Sequence, residues 1–125
     1  MAKPPHDGER RILFPDGTLS AVENYLHGKK SGAAEYFHPN GQKKAAGEFA
    51  RGKFSGPWTW WRDDGAVKQQ GSFVDGEQDG HWVRWHETGA KLDEGDWVHG
   101  KKSGIWKRYD PQGTLVETTS YADRS

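Results

Sequence analysis

Short runs of aromatic and β-branched residues alternate along the chain with glycine-containing turn signals. In the stretch GKFSGPWTWWRDDGAVKQQGSFVDG, from Gly52 to Gly76, two apolar segments flank the triplet DDG. An acid or proline followed by glycine suits a type I turn with a G1 bulge, so the stretch predicts a β-hairpin. Related triplets place five such turns at 15–17, 39–41, 63–65, 87–89 and 111–113. A helix is disfavoured because interior glycines each cost about 1 kcal/mol relative to alanine.

The hairpins recur with a constant period of 24 residues. Glycines align in columns at this spacing, as in Gly28, Gly52, Gly76 and Gly100, and so do aromatic residues, as in Trp58, Trp82 and Trp106. A fixed period of this length predicts a repeat architecture. We therefore predict an all-β fold, an antiparallel meander of about five 24-residue hairpins. The predicted repeats are 8–27, 28–51, 52–75, 76–99 and 100–125, forming one domain (8–125) after a flexible N-terminus (1–7).

The repeat resembles the MORN repeat (membrane occupation and recognition nexus) in its bacterial variant, similar to the YwqK-type antitoxin family. The pattern G-x-x-x-G-x-W-x-x-[WY]-x-x-x-G-x-x-x-x-x-G-x-[FW]-x-x-G occurs from Gly52 to Gly76 and again from Gly76 to Gly100. The end copies depart from it, with Arg10 and Ala34 in place of tryptophan and Thr119 in place of glycine. The resemblance implies non-covalent recognition, as in an antitoxin or immunity-type protein that neutralises a bacterial toxin. MORN-like arrays also occur in scaffolds and in lipid-associated proteins.

Charge and chemical motifs narrow the function classes. Lys plus Arg and Asp plus Glu number 18 each, so net charge gives no reason to expect a nucleic-acid partner. There is no cysteine and no apolar run long enough for a membrane span, and we expect a soluble, cytoplasmic protein. No nucleotide motif or Ser, His and Asp set is present, and only His38 and His86 share a repeat column. We expect no enzyme activity, no cofactor and no metal site.

Strand pairing across the three-residue turn sorts the side chains into two faces. We predict that Trp61 lies opposite Val67 and Trp58 opposite Gln70, with Trp61, Gly71 and Phe73 on the core face. Glycines such as Gly71 and Gly95 are expected to leave room for a neighbouring aromatic ring. The opposite face is predicted to carry Trp58, Trp82 and Trp106, whose repetition also suits packing between hairpins.

A column that varies between copies is the predicted binding surface, and its members are Tyr36, Trp60, Arg84 and Arg108. Positions common to all repeats serve the shared fold, whereas variable positions are free to serve one partner. Tryptophan beside arginine is typical of protein–protein hot spots, and Trp60→Ala is expected to spare the fold that Trp61→Ala disrupts. The candidate partner-binding residues are Tyr36, Trp58, Trp60, Arg62, Trp82, Arg84, His86 and Arg108.

Two other functions stay open at this stage. A lipid-associated scaffold would use the loop lysines on anionic headgroups, although zero net charge disfavours membrane contact. A carbohydrate-binding module would stack sugar rings on Trp58, Trp60 and Trp82, which requires these rings to be exposed and coplanar.

The charge is also polarised along the chain: segment 28–51 has five basic and two acidic residues, and segment 76–99 has two basic and six acidic ones. This polarity favours a partner of mixed charge.

Overall fold

The chain forms one antiparallel β-sheet, as the turn pattern predicts. The computed structural model describes residues 6–123, so most of the predicted flexible N-terminus lies outside the described residues. The strands are β1 (Gly8–Leu13), β2 (Leu19–Leu26), β3 (Lys29–Lys30), β4 (Gly32–Phe37), β5 (Lys43–Ala50), β6 (Lys53–Trp61), β7 (Val67–Val74), β8 (Glu77–Trp85), β9 (Lys91–Val98), β10 (Lys101–Tyr109) and β11 (Leu115–Tyr121). Neighbours in sequence are neighbours in the sheet, and the short β3 pairs with the end of β2. The all-β hairpin meander is confirmed.

Two kinds of turn alternate along the meander. At each predicted triplet the glycine N–H donates to the carbonyl three residues earlier, as from Gly17 to Phe14 at 2.9 Å, and the glycine has a positive φ. The five predicted hairpin turns are therefore confirmed. The return turns use a residue with φ near 50° followed by glycine, for example Asp75 (51°) and Gly76 (81°). Two successive positive φ values define a type I′ turn, whose twist matches that of the flanking strands.

A β-bulge beside each three-residue turn changes the predicted register. Trp61 pairs with Val67 as predicted, but Trp58 pairs with Gly71, and Gln70 lies opposite Thr59. The predicted Trp58–Gln70 pairing is wrong because the register shifts by one residue between Trp60 and Trp61. A shift of one residue moves the rest of the strand to the other face. Gly71 and Phe73 consequently share a face with Trp58 and Trp60, and we call this side of the sheet the ring face.

Three tryptophans form the structural centre of the ring face. Trp58, Trp82 and Trp106 are 2%, 3% and 8% exposed. Each indole lies over a glycine of the preceding hairpin, namely Gly47, Gly71 and Gly95, where an added Cβ would stand 2.3, 2.0 and 2.2 Å from the ring. Each indole N–H also donates to a backbone carbonyl, that of Glu48, Ser72 and Asp96 respectively, at 2.9 to 3.1 Å. The expectation that glycines make room for aromatic rings is confirmed.

The first hairpins replace this ring-over-glycine contact by a polar cluster. Ala34 stands where a tryptophan would be, and Glu23 occupies the place that is glycine in the next copy. The Glu23 carboxylate is buried and accepts hydrogen bonds from Tyr25 at 3.0 Å and Tyr36 at 2.5 Å, with the Lys30 ammonium 3.0 Å away. Burial opposes ionisation of Glu23, but these three donors together hold its pKa below the usual value. The carboxylate thus fills space left by the missing indole.

Candidate functional site

A row of side chains crosses the ring face, with one residue from each strand between β2 and β11 except the short β3. The row follows the strand pairs from Ala21 to Glu117, and we call it the cross-strand row. Its members in order are Ala21, Tyr36, Ala45, Trp60, Gln69, Arg84, Asp93, Arg108 and Glu117. The predicted variable column of Tyr36, Trp60, Arg84 and Arg108 forms every second member of this row. The structure therefore brings those four predicted residues into one line.

The first half of the row forms an aromatic trough. Ala45 is the small residue between Tyr36 and Trp60, and its short side chain leaves a depression between the two rings. The depression has a volume of about 440 Å³ and is also lined by Phe49, Phe54, Trp58, Lys30, Lys44 and Gly52. The Lys30 ammonium lies 5.0 Å from the centre of the Phe49 ring. The trough therefore combines apolar walls with two cations at its rim.

Trp60 is part of the aromatic packing of this face. Its ring stacks on Trp58 with centroids 5.8 Å apart and meets Trp82 at the same distance on its other side. It also contacts Phe73 edge-on at 6.2 Å. These contacts revise the expectation that Trp60→Ala spares the fold, because removal of the ring exposes two otherwise buried indoles. Trp60 is half-buried, so part of its surface remains open to a partner.

The second half of the row is a ladder of charges. The Arg84 guanidinium makes two hydrogen bonds to the Asp93 carboxylate, at 3.0 and 2.5 Å, and Arg108 donates to Glu117 at 3.1 Å. The hydrogen bonds that Arg84 donates to Asp93 raise the pKa of Arg84, although burial works against this. A second depression of about 330 Å³ lies here, with Lys102 and Trp97 on its wall. This end of the face therefore offers polar rather than apolar contacts.

Arg62 and His86 do not join the cross-strand row. Both lie just before a three-residue turn and link one hairpin to the next. The Arg62 guanidinium donates to the carbonyl of Trp85 at 2.8 Å, and the His86 Nε2 lies 2.8 Å from the carbonyl of Tyr109. These side chains hold the turns of adjacent copies in line, a role that sequence reasoning missed.

The geometry does not meet the requirement for sugar stacking. A carbohydrate platform needs exposed, coplanar rings at Trp58, Trp60 and Trp82. Trp58 and Trp82 are instead buried, and Trp60 is tilted by 33° relative to Trp82. These rings are packed into the sheet and present edges rather than a flat surface.

A polar cluster on the opposite face centres on Glu94. Its carboxylate accepts hydrogen bonds from Tyr109 at 2.7 Å and Lys91 at 3.2 Å, and His81 lies 3.2 Å away. The hydrogen bond from Tyr109 is the main cause that lowers the pKa of Glu94 to about 2. The cluster ties β8, β9 and β10 together on the side opposite the ring face.

We expect the Glu94 cluster to make the fold sensitive to acid. The pKa of Glu94 in the fold is about 2, below its usual 4.5, so its ionised form stabilises the protein fully above pH 4.5. That contribution disappears as the pH falls through about 2. Chemical denaturation at a series of pH values should show a smaller acid-induced loss of stability in Glu94→Gln than in the wild type. Glu87→Gln is the control, since its side chain is 88% exposed, and an equal change there would contradict the assignment.

One comparison with known families bears on the repeat. The family model of the MORN repeat variant matches residues 102–123, which span β10 and β11. This match supports a MORN-repeat protein, and MORN repeats are in general binding modules. No curated protein matches the chain. Within residues 6–123 there is no helix long and apolar enough to cross a membrane.

Proposed function

We propose that the chain is a non-catalytic protein-binding module that holds a segment of a partner protein along the cross-strand row. The observation that carries this proposal is the composition of the row on an open sheet. Its small and aromatic members lie at one end and its charged members at the other, and no second layer of the described residues covers the ring face. Positions that vary between otherwise similar copies are not required by the shared fold, so they are free to contact one particular partner.

The chemistry of the trough specifies the segment that fits it. The aromatic walls favour an apolar side chain over Ala45, and the exposed Lys44 favours an acidic residue beside it, since Lys30 is already paired with Glu23. At the other end, Arg84 and Arg108 alternate with Asp93 and Glu117 along the row, which favours a polar segment that carries charges of both signs. We therefore propose a partner segment with acidic and apolar residues at one end and polar residues of both charges at the other.

The resemblance to bacterial antitoxins supports a more specific form of this function. We propose that the partner is a toxin and that binding along the ring face neutralises it. Once the partner has been isolated from the native host, its expression alone should arrest bacterial growth, and co-expression of the chain should restore growth. Normal growth with the partner alone would overturn the proposal of toxin neutralisation. The proposal of protein binding is tested separately, by the binding titration described next.

We expect Lys44→Glu to weaken binding of the partner about tenfold, chiefly through slower association, because a charge at the rim of an interface steers the encounter. The partner is first captured from the native host, then purified and titrated by surface plasmon resonance. Lys68→Glu is a matched control, since Lys68 follows Lys44 by one repeat, is also exposed and lies outside the trough. Equal losses in both variants would mean that general charge, rather than the trough, governs binding.

A further inference from the structure

Two histidines and an aspartate come together at the N-terminal edge of the sheet. His6 and Asp7 precede β1, and His27 begins the return turn after β2. One potential ligand atom from each of the three side chains lies within 4.8 Å of the others. The two imidazole rings have centroids 5.7 Å apart with an interplanar angle of 64°. All three residues are exposed, so an ion can reach them from solvent.

Backbone contacts hold the two segments of this cluster together. The Gly28 N–H donates to the carbonyl of His6 at 2.6 Å, and the His27 N–H donates to Asp7 Oδ1 at 2.7 Å. His27 also has a φ of 52°, which places it in the left-handed region that a type I′ turn requires. The backbone positions of the three residues are therefore set by the fold of the hairpin rather than by chance contact between loose segments.

We propose that His6, Asp7 and His27 form a binding site for a divalent transition-metal ion such as Zn²⁺. Imidazole nitrogen and carboxylate oxygen together suit Zn²⁺, Cu²⁺ or Ni²⁺, whereas Ca²⁺ and Mg²⁺ prefer oxygen ligands alone. Donor atoms around a tetrahedral zinc ion lie about 3.3 Å apart. The exposed side chains reach this spacing by small rotations, and water completes the coordination.

No metal-ligand motif is visible in the sequence, because the two histidines are 21 positions apart and lie in different repeat columns. Hairpin pairing of β1 with β2, which sets Gly8 opposite Tyr25, brings them together. The corresponding places in the fourth copy hold Gln78, Asp79 and His99. That copy keeps the backbone, with a φ of 49° at His99 and a Gly100 N–H bond to Gln78, but has only one imidazole. Three suitable ligands therefore occur together only in the first copy among the described residues.

Isothermal titration of the full chain, without an affinity tag, against zinc sulfate tests this site. We expect one zinc ion per chain, with affinity reduced at least tenfold by His6→Ala and by His27→Ala. Asp7→Asn should also weaken binding, since it removes the charge but keeps an oxygen that can accept the His27 N–H. His99→Ala is the matched control and should leave the zinc affinity unchanged. Titration of the wild type with magnesium sulfate in place of zinc sulfate should give no binding signal.

Proton NMR of the imidazole C–H signals locates the ion independently of affinity. The signals of His6 and His27, assigned from the two alanine variants, should shift together on addition of one equivalent of zinc sulfate, while those of the remaining histidines stay in place. The proposal is overturned if the wild type binds no zinc, if His99→Ala weakens binding as much as His27→Ala, or if other histidine signals shift first.

Discussion

Replacing Trp58 by alanine is expected to lower the free energy of unfolding by about 3 to 5 kcal/mol, the usual cost of removing a buried tryptophan. Its indole is 2% exposed, lies over Gly47 and donates a hydrogen bond to the carbonyl of Glu48. It also meets the rings of Phe49 and Phe54 edge-on, with centroids about 5 Å away. Truncation leaves a cavity and removes this hydrogen bond at the same time, and urea denaturation followed by circular dichroism measures the combined cost.

Trp61→Ala provides the control for this prediction. Trp61 belongs to the same strand but points to the opposite face, where it is only half-buried. Its removal should therefore cost less than that of Trp58, although the sequence pattern placed Trp61 on the core face. A larger loss for Trp61→Ala would mean that the face opposite the ring face provides most of the stability.

The hairpin turns were predictable because they depend on local chemistry. An acid or proline two places before a glycine determines each three-residue turn within a few residues of chain, and the period of 24 residues repeats this signal five times. Agreement between local turn preference and global repetition left no competing fold. The return turns were less visible, because only the second of their two residues is glycine, as in Asp75 and Gly76.

Simple alternation along the strands could not predict which side chains share a face of the sheet. One extra residue beside each hairpin turn, such as Lys68, shifts the register and transfers Gly71 and Phe73 to the side of Trp58. Strand alternation assumes that no bulge intervenes, and nothing in the composition of WWRDDGAVK specifies one. The pairing of large and small residues does carry a signal, however. Each tryptophan follows its glycine by 11 positions, as Trp82 follows Gly71, and the same spacing links Ala34 to Glu23.

The candidate site was predicted in part. Comparison between copies identified Tyr36, Trp60, Arg84 and Arg108 as a variable column, and these residues do lie in one row. Their strand partners, which include Ala45 and Asp93, were not identified, because cross-strand neighbours depend on the register. Ala45 contributes to the trough through its small side chain, which leaves room between Tyr36 and Trp60. The sequence of a single strand does not show which small residue lies between two large ones of the neighbouring strands.

The second large effect is expected at Gly71. A Cβ at this position would stand 2.0 Å from the Trp82 ring, closer than any non-bonded atoms can approach. Gly71→Ala should therefore lower the free energy of unfolding by about 3 kcal/mol or more, at the upper end of the cost of overpacking, although alanine is the better residue in an ordinary strand. Gly71 does not have a positive φ, so the loss cannot come from backbone conformation. Thr119→Ala, at the equivalent place in the last copy, is the control and should change the stability by less than about 0.5 kcal/mol.

A double-mutant cycle tests whether Trp82 is the cause of that loss. If the indole alone excludes a side chain at Gly71, then Gly71→Ala should cost less than about 1 kcal/mol in a Trp82→Ala background, because the methyl group enters space that the ring has vacated. The two single variants would then be strongly non-additive, with a coupling energy of about 2 kcal/mol or more. Additive losses would show that Gly71 is required for a reason other than the ring above it. The same cycle at Gly95 and Trp106, where the added Cβ would stand 2.2 Å from the indole, should give a coupling of the same sign. Agreement between the two cycles would establish the ring-over-glycine contact as the unit that joins neighbouring hairpins from Gly47 onward.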